Sequence, residues 1–162
     1  MKCPECINTN GMYVSLFVSE PCRTCGGTQI IEDRSSLKDE ERIEYSDGSK
    51  YWFLNGKFHR ADGPAIEYSN GDKSWYLNDK LHRTDGPAIE CSDGHKSWYL
   101  NDKLHRADGP AVERSDGNKY WYLNGKCHRA DGPAIEFSDG GKHWYLNGIQ
   151  YSEKEFNEKV KK

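Results

Sequence analysis

The tryptophans of this chain impose a fixed period on about two thirds of its length. All five lie 23 residues apart, at Trp52, Trp75, Trp98, Trp121 and Trp144. A fixed spacing of this size is typical of repeat proteins, in which each unit buries its apolar surface against its neighbours. The spacing therefore predicts five copies of one structural unit over residues 42–151.

Two short motifs recur in the same register. Ser-Asp-Gly or Ser-Asn-Gly occurs in all five repeats, and His-Arg-x-Asp-Gly-Pro-Ala occurs four times. The first residues of these motifs are Ser46, Ser69, Ser92, Ser115, Ser138, His59, His82, His105 and His128. Aromatic or β-branched stretches flank Asn70-Gly71, and Asn, Asp and Gly accept the positive φ of a type I′ hairpin turn. Each repeat is therefore predicted to form one β-hairpin.

Five hairpins predict an all-β fold, an elongated single-layer antiparallel sheet of about ten strands. The 16 Gly, 10 Tyr and 5 Trp suit an aromatic, turn-rich β protein, and a net charge of only −3 argues against a disordered chain. Alternation along the strands predicts the two faces. The Trp75, Leu77 and Ile66 positions are expected to share the core face, and the Tyr76 position is expected beside Glu67 on the other.

The tyrosine face offers a candidate contact surface, because Tyr and Arg are favoured anchors at protein interfaces. Arg114 stands where other repeats have Tyr, Cys or Phe, and it lies near Tyr120 and Tyr122 in the predicted sheet. The candidate partner-binding residues are Tyr76, Tyr99, Arg114, Tyr120, Tyr122 and Tyr145. The alternative is a half-solvated face on which cross-strand aromatic pairs stabilise the sheet and the variation is drift.

The His-Arg-x-Asp motif brings together a base, a cation and a carboxylate, which are the ingredients of acid–base catalysis. One active site needs one such set, whereas four copies in register suit the fold itself. We therefore expect Asp62-Gly63-Pro64 to form a turn, Arg60 to pair with an Asp, and His59 to pack on a Trp edge. No residue is predicted to be catalytic, and Cys91 and Cys127 are interpreted as small apolar substitutes.

The repeat, with its Trp-Tyr-Leu-Asn-Gly-Lys and His-Arg-x-Asp-Gly segments, resembles a MORN repeat over residues 42–151. It differs from that family in having His-Arg where His-Gly is usual, and Asp-Gly-Pro-Ala after it. Variants of this kind resemble repeats in proteins of tailed phages and large DNA viruses. The resemblance implies stacked β-hairpins in a twisted sheet and a scaffolding or protein-binding role, here as a viral accessory factor acting on a host system.

The first 31 residues predict a separate metal-binding module. Cys3 and Cys6 form one C-x-x-C pair, and Cys22 and Cys25 form a second after 15 intervening residues. This spacing is typical of a four-cysteine zinc site, and four thiolates close the coordination sphere, so the Zn²⁺ is expected to be structural. The segment resembles a zinc ribbon or the cysteine knuckles of J-domain chaperones.

The remaining segments complete the predicted organisation. Residues 32–41 are an acidic linker that caps the array, and residues 152–162 are a short helix with Ser152 at its N-cap, closing the sheet edge. The chain has no apolar run of membrane-spanning length and does not begin like a signal peptide, so a cytoplasmic protein is expected, in the host cytoplasm if it is viral.

The function predicted from these features is non-enzymatic protein binding. The alternative is nucleic-acid or nucleotide binding through the zinc ribbon and the Arg, Lys and Tyr rows of the repeats. Acidic rows on the same units, together with a near-neutral balance of 23 basic and 26 acidic residues, weigh against that alternative.

Overall fold

The computed structural model of the protein describes Val14–Leu16 and residues 40–161. The cysteines predicted to bind zinc, Cys3, Cys6, Cys22 and Cys25, lie outside the described residues. The chain divides into two compact units, Met1–Lys80 and Leu81–Lys162. The predicted division into a metal module, a linker, an array and a cap stays a prediction.

The first unit contains an open antiparallel sheet. The strands of this unit are β1 (Val14–Leu16), β2 (Glu40–Tyr45), β3 (Lys50–Leu54), β4 (Lys57–Phe58), β5 (Ile66–Glu67), β6 (Lys73–Ser74) and β7 (Tyr76–Leu77). The boundary between the units falls within β8 (Lys80–Leu81), which pairs with β7 outside the sheet. The strand order is β1-β2-β3-β5-β6, with β4 paired to β3. Ile43 lies opposite Tyr51 in β2 and β3, and Tyr51 lies opposite Ile66 in β5.

The second unit repeats the same arrangement and ends in the helix. Its elements are β9 (Ile89–Glu90), β10 (Lys96–Ser97), β11 (Tyr99–Leu100), β12 (Lys103–Leu104), β13 (Val112–Glu113), β14 (Lys119–Tyr120), β15 (Tyr122–Leu123), β16 (Lys126–Cys127), β17 (Ile135–Glu136), β18 (Lys142–Leu146), β19 (Ile149–Tyr151) and α1 (Glu153–Val160). The main sheet runs β9-β10-β13-β14-β17-β18-β19, and β11-β12 and β15-β16 form separate pairs. The all-β prediction with a short C-terminal helix is confirmed.

A repeat contains two hairpins rather than the one predicted, because the strand changes partners at each Trp. In the repeat of Trp98, β10 pairs with β9 and β13, whereas β11 pairs with β12. The Trp98 N–H donates to the Ala111 carbonyl at 2.8 Å, and the Trp98 carbonyl accepts from the His105 N–H at 3.0 Å. Each half of the strand therefore pairs separately, so the count of about ten strands is too low.

The two turns of a repeat differ in backbone geometry. At the second turn, Asn78 and Asp79 have φ of 53° and 65°, as a type I′ turn requires. At the first turn, Gly71 has a φ of 93° while Asn70 is not among the positive-φ residues, so the predicted type I′ turn there is wrong. Instead, the Gly71 N–H donates to the Tyr68 carbonyl and glycine supplies the single left-handed position, as in a three-residue hairpin loop.

The predicted assignment of the two faces is also wrong. Ile43 forms a buried cluster with Phe53, against which Tyr45, Tyr51 and Phe58 pack, so the Ile and Tyr positions share one face. We call this the aromatic face. In the second unit it carries the equivalent positions Ile89, Cys91, Ser97, Tyr99, Leu104, Val112, Arg114, Tyr120, Tyr122, Cys127, Ile135, Phe137, His143 and Tyr145.

The opposite face carries Trp together with Glu, and we call it the Trp–Arg face. In the first unit the Arg60 guanidinium lies over the Trp52 ring and donates to Glu67, which places all three on that face. The deepest burial is at the Ala of each Gly-Pro-Ala segment, and the Trp side chains are only half-buried. Those alanines, Ala65, Ala88, Ala111 and Ala134, have no exposed surface.

The C-terminal helix begins as predicted. Ser152 is its N-cap, and its side chain and the Glu155 side chain form a reciprocal capping box. Phe156 is buried where α1 packs against β18 and β19, so the helix covers the last strands of the sheet. No helix in the described part of the chain is long and apolar enough to cross a membrane.

Candidate functional site

The repeated Arg is the centre of each His-Arg-x-Asp-Gly-Pro-Ala loop. Arg106 Nε donates to Asp108 Oδ1 at 2.9 Å, and Nη1 donates to the Pro110 carbonyl at 3.2 Å and to Glu113 Oε1 at 2.8 Å. The guanidinium carbon lies 4.1 Å from the centre of the Trp98 ring, within the range of a cation–π contact. One side chain therefore ties together the loop, the following strand and the preceding Trp.

The same set of contacts recurs around the other arginines. Arg60, Arg83 and Arg129 donate to the equivalent Asp, Pro carbonyl and Glu. Arg60 and Arg129 also lie 4.1 Å above Trp52 and Trp121. The expected pairing of Arg with Asp is present in each of these loops.

The glycine of the loop is required by the close approach of the guanidinium. A Cβ atom at Gly109 would lie 2.8 Å from Arg106 Cζ, closer than real side chains approach one another. At Gly132 the corresponding distance to Arg129 Cζ is 3.2 Å. The guanidinium is thus held between a Trp ring and a glycine backbone, and this explains a glycine that needs no left-handed conformation.

The carboxylates of these loops stay ionised and point outward. The hydrogen bond from Arg106 holds the pKa of the Asp108 carboxyl below its usual value, and the same cause acts on Asp62, Asp85 and Asp131. The Asp108 side chain is 83% exposed, whereas that of Arg106 is 22% exposed. The surface of each loop is therefore a carboxylate over a largely covered guanidinium.

The repeated His bonds to the Asn of the next repeat. The Asn147 N–H donates to His128 Nδ1 at 2.9 Å, and the Asn124 N–H donates to His105 Nδ1 at 3.2 Å. This hydrogen bond to the backbone fixes the left-handed Asn, and the expected packing of His on a Trp edge stays a prediction. His, Arg and Asp each have a partner within the fold, as the structural interpretation of this motif requires.

Matched clefts separate consecutive loops in the second unit. One, of about 580 Å³, lies between the loop of Arg83–Pro87 and that of Arg106–Asp108, with Trp98 and Leu100 in its floor. The next, of about 530 Å³, lies between residues 106–110 and 129–131, over Trp121 and Leu123. In the first unit a cleft of about 440 Å³ lies over Trp52, with Glu40 and Glu41 in place of a preceding loop. Sequence reasoning missed these clefts, although the repeated Trp and Asp-Gly-Pro positions are the signal that marks them.

The residues predicted to bind a partner fall into two groups. Four tyrosines lie together on the aromatic face of the second unit, and electrostatic coupling of Tyr122 to the other three shows their proximity. They are Tyr99, Tyr120, Tyr122 and Tyr145. Burial raises the pKa of Tyr99 and Tyr122, so these rings are partly covered.

The other two predicted residues are Tyr76 and Arg114. Tyr76 belongs to the first unit, where its ring lies 5.5 Å from that of Phe58. Arg114 lies at the start of the first turn of its repeat, with 53% of its side chain exposed and its Nε 3.7 Å from Asp116 Oδ2. Arg114 is on the same face of its repeat as Tyr120. The role of these six residues in partner binding stays a prediction.

The third repeat carries a polar substitution that the sequence did not single out. Ser97 is buried on the aromatic face, and its hydroxyl lies 2.9 Å from His95 Nε2. Cys127 occupies a Leu position, and burial raises the pKa of its thiol to about 11, as expected for a small apolar substitute. Within residues 40–161 no three His, Cys, Asp or Glu side chains gather in a way that could hold a metal ion.

Comparison with models of known protein families finds no match, and a search of curated proteins also finds none. The repeated short hairpins, with their regular Arg, Lys and Tyr positions, are compatible with a MORN-like repeat.

Proposed function

We propose that this protein is a non-enzymatic scaffold that binds another protein through the surface of its repeats. The proposal is carried by one observation, the engagement of every repeated Arg with an Asp, a Glu and a backbone carbonyl of its own repeat. Because these guanidinium groups are already engaged within the fold, we expect the choice of one particular partner to depend on the positions at which the repeats differ. The proposal includes a MORN-like ancestry and a viral accessory role in the host cytoplasm, both of which rest on the sequence resemblance.

The variable positions lie mainly on the aromatic face. Arg114, Tyr120 and Tyr122 occupy it in one repeat, and half-buried tyrosines offer large contact area with little rotamer entropy to lose. We expect this repeat to contribute most to binding, because it alone has an Arg at the position that is Tyr, Cys or Phe in the other repeats.

The experiment is affinity capture of the tagged full chain from nuclease-treated lysate, followed by direct binding of the purified partner. Wild type is compared with an Arg114→Ala, Tyr122→Ala double variant and with a Lys119→Ala, Lys142→Ala control on the Trp–Arg face. Selective loss of affinity in the first variant, with an unchanged thermal unfolding midpoint, supports the proposal. Equal affinities for all three proteins, or no partner after nuclease treatment, would overturn it.

The nucleic-acid alternative is weakened by the structure of the Arg row. The four repeated arginines, Arg60, Arg83, Arg106 and Arg129, are at most 24% exposed and already face carboxylates. Binding to a phosphate backbone would require them to exchange those partners. Tight binding to DNA or RNA that falls steeply with salt concentration would nevertheless favour the alternative over our proposal.

The metal module remains part of the proposal. Four cysteines in two C-x-x-C pairs would hold one structural Zn²⁺ and supply the folding energy of so small a segment. Elemental analysis of the purified chain is expected to give one zinc per chain, and Cys22→Ser is expected to lower that content. Cys127→Ser is the matched control, since Cys127 lies in a repeat. Equal zinc content in both variants would refute the assignment.

A further inference from the structure

The clefts of the Trp–Arg face recur with the same chemistry in two consecutive repeats of the second unit. Trp98 and Leu100 form the floor of one, and Pro87 and Ala107 add apolar wall. Trp121, Leu123, Pro110 and Ala130 occupy the same places in the next. An apolar floor of this kind suits the aliphatic stem of a long side chain, whose charged end stays in water.

The rim of each cleft presents carboxylates. Asp85 and Asp108 border the first cleft, and Asp108 and Asp131 border the second. These three side chains are 79%, 83% and 82% exposed, whereas Arg83, Arg106 and Arg129 are about 20% exposed. Each Arg also has a Glu as its second ionic partner. A ligand that enters a cleft therefore meets negative groups first.

The first repeat of the array has a cleft with an acidic rim although no His-Arg-x-Asp motif precedes it. In the first unit no His-Arg-x-Asp loop precedes Trp52, yet Glu40 and Glu41 border the cleft on that side and Asp62 on the other. The fold needs no carboxylate there for an Arg–Asp pair, because the one Arg of that segment, Arg42, pairs with Glu44. Acidic side chains therefore border a cleft even where the preceding His-Arg-x-Asp loop is absent.

The spacing of the clefts limits the form of a ligand that fills two of them. Each repeat contributes two strands to the main sheet of the second unit, so neighbouring clefts are separated by about 10 Å. A polyproline II segment has three residues per turn and advances by about 9 Å over those three residues, so every third side chain points the same way. Side chains three positions apart would therefore reach consecutive clefts.

We propose that these clefts bind a basic protein segment in the polyproline II conformation, with a Lys or Arg at every third position placing its side chain in consecutive clefts. The inference rests on the proposed protein-binding function and names a partner chemistry for it. The aliphatic stem packs on the Trp and Leu floor, and the cationic end lies between the Asp carboxylates of two loops.

The test uses the full chain and fluorescein-labelled peptides, with binding followed by fluorescence anisotropy. One peptide repeats Lys-Pro-Ala three times, a second has the same composition with its three lysines adjacent, and a third has Glu in place of Lys. We expect the periodic peptide to bind about tenfold more tightly than its clustered isomer, and the acidic peptide not to bind. Equal binding of the two lysine peptides, or preference for the acidic one, would overturn the proposal.

Two charge-matched variants locate the site. Asp85→Asn, Asp108→Asn and Asp131→Asn together keep an acceptor for each Arg and are expected to weaken binding about tenfold. Asp93→Asn, Asp116→Asn and Asp139→Asn remove the same charge from three first turns of the second unit and are expected to leave affinity nearly unchanged. Equal losses would show a diffuse charge effect and refute the clefts as the site.

Failure of this inference is distinguishable from failure of the proposed function. Asp108 borders both clefts, so Asp108→Asn alone repeats the test should the triple variant lose its fold. If a captured partner depends on Arg114 and Tyr122 while no basic peptide binds, the clefts are refuted and the scaffold function stands. If periodic peptides bind but no cellular partner is captured, the clefts stand and the broader function falls.

Discussion

The Trp–Arg face of the sheet is the same in the two units, whereas the aromatic face differs between them. On the Trp–Arg face, Arg60 in the first unit and Arg106 in the second make the same three classes of hydrogen bond and lie at the same 4.1 Å from a Trp ring. The aromatic face instead differs between the units. The constant face thus carries the contacts that hold every repeat together, and the variable face carries the positions at which one repeat can differ from another in the contacts that it offers.

The difference on the aromatic face is one of packing. In the first unit the rings of Tyr45, Tyr51, Phe53, Phe58 and Tyr76 contact one another at centroid distances of 4.7 to 6.1 Å. In the second unit Leu104 and Cys127 replace Phe58, and Cys91 and Arg114 replace Tyr45. Ile43 and Ile66 are buried, whereas their counterparts Ile89, Val112 and Ile135 are half-buried. The first unit therefore has the denser apolar layer.

The largest expected effect tests that layer. Phe53→Ala should destabilise the first unit by about 3–5 kcal/mol, because Phe53 is 3% exposed and its removal leaves a cavity. Tyr99→Ala, at the equivalent position of the second unit, should cost clearly less because Tyr99 is only half-buried. Urea unfolding measures both. Equal losses of unfolding free energy would contradict the difference in packing.

The second effect tests the constant face. Arg106→Ala should destabilise the protein by about 2–3 kcal/mol, since it leaves Asp108, Glu113 and the Pro110 carbonyl without their donor. Arg114→Ala is the control, because Arg114 is 53% exposed and its change should stay within about 0.5 kcal/mol. A cost for Arg106→Ala as small as that of the control would refute a central role for the guanidinium.

A smaller effect tests the close approach of glycine and guanidinium. Gly109→Ala should destabilise by about 1–2 kcal/mol, and Gly132→Ala by less, following the Cβ distances of 2.8 and 3.2 Å to the Arg Cζ atoms. In a double-mutant cycle, Arg106→Ala should remove most of the cost of Gly109→Ala. Additive free energies would show that the glycine is required for another reason.

The smallest effect is the response to acid. The hydrogen bonds from Arg lower the pKa of Asp62 in the first unit and of Asp85, Asp108 and Asp131 in the second. Between the pKa of the folded protein and the ordinary value near 3.8, the unfolded chain binds more protons than the folded chain. The stabilisation that the Arg–Asp hydrogen bonds give to the folded protein is therefore fully present above pH 3.8 and is lost as the pH falls through the folded pKa. Hydrogen exchange below pH 4 should therefore show loss of protection around all four Arg loops, one in the first unit and three in the second. Unchanged protection around these loops, or greater stability in acid, would contradict this sign.

The repeat and the helix cap were predicted from the sequence because each depends on local chemistry. The 23-residue Trp spacing marks the unit, and Ser152 with Glu155 forms a capping box within one turn of helix. The second turn was not predicted, although Asn78-Asp79 is a pair that accepts the positive φ of a type I′ turn. The pairing of Arg60 with Asp62 was also predictable, because the two residues are separated by a single position.

Only the tertiary structure decided which residues share a face. Alternation along a strand gives two sets of side chains, but the number of residues in the connecting turn decides which set of one strand meets which set of the next. The three-residue loop between β2 and β3 places Ile43 opposite Tyr51, and the longer connection through β4 and the Arg60 loop places Ile66 opposite the same Tyr51. Trp52 therefore points away from the Ile stripe. That register also creates the clefts, because it places the Arg loops of consecutive repeats over the Trp side of the sheet.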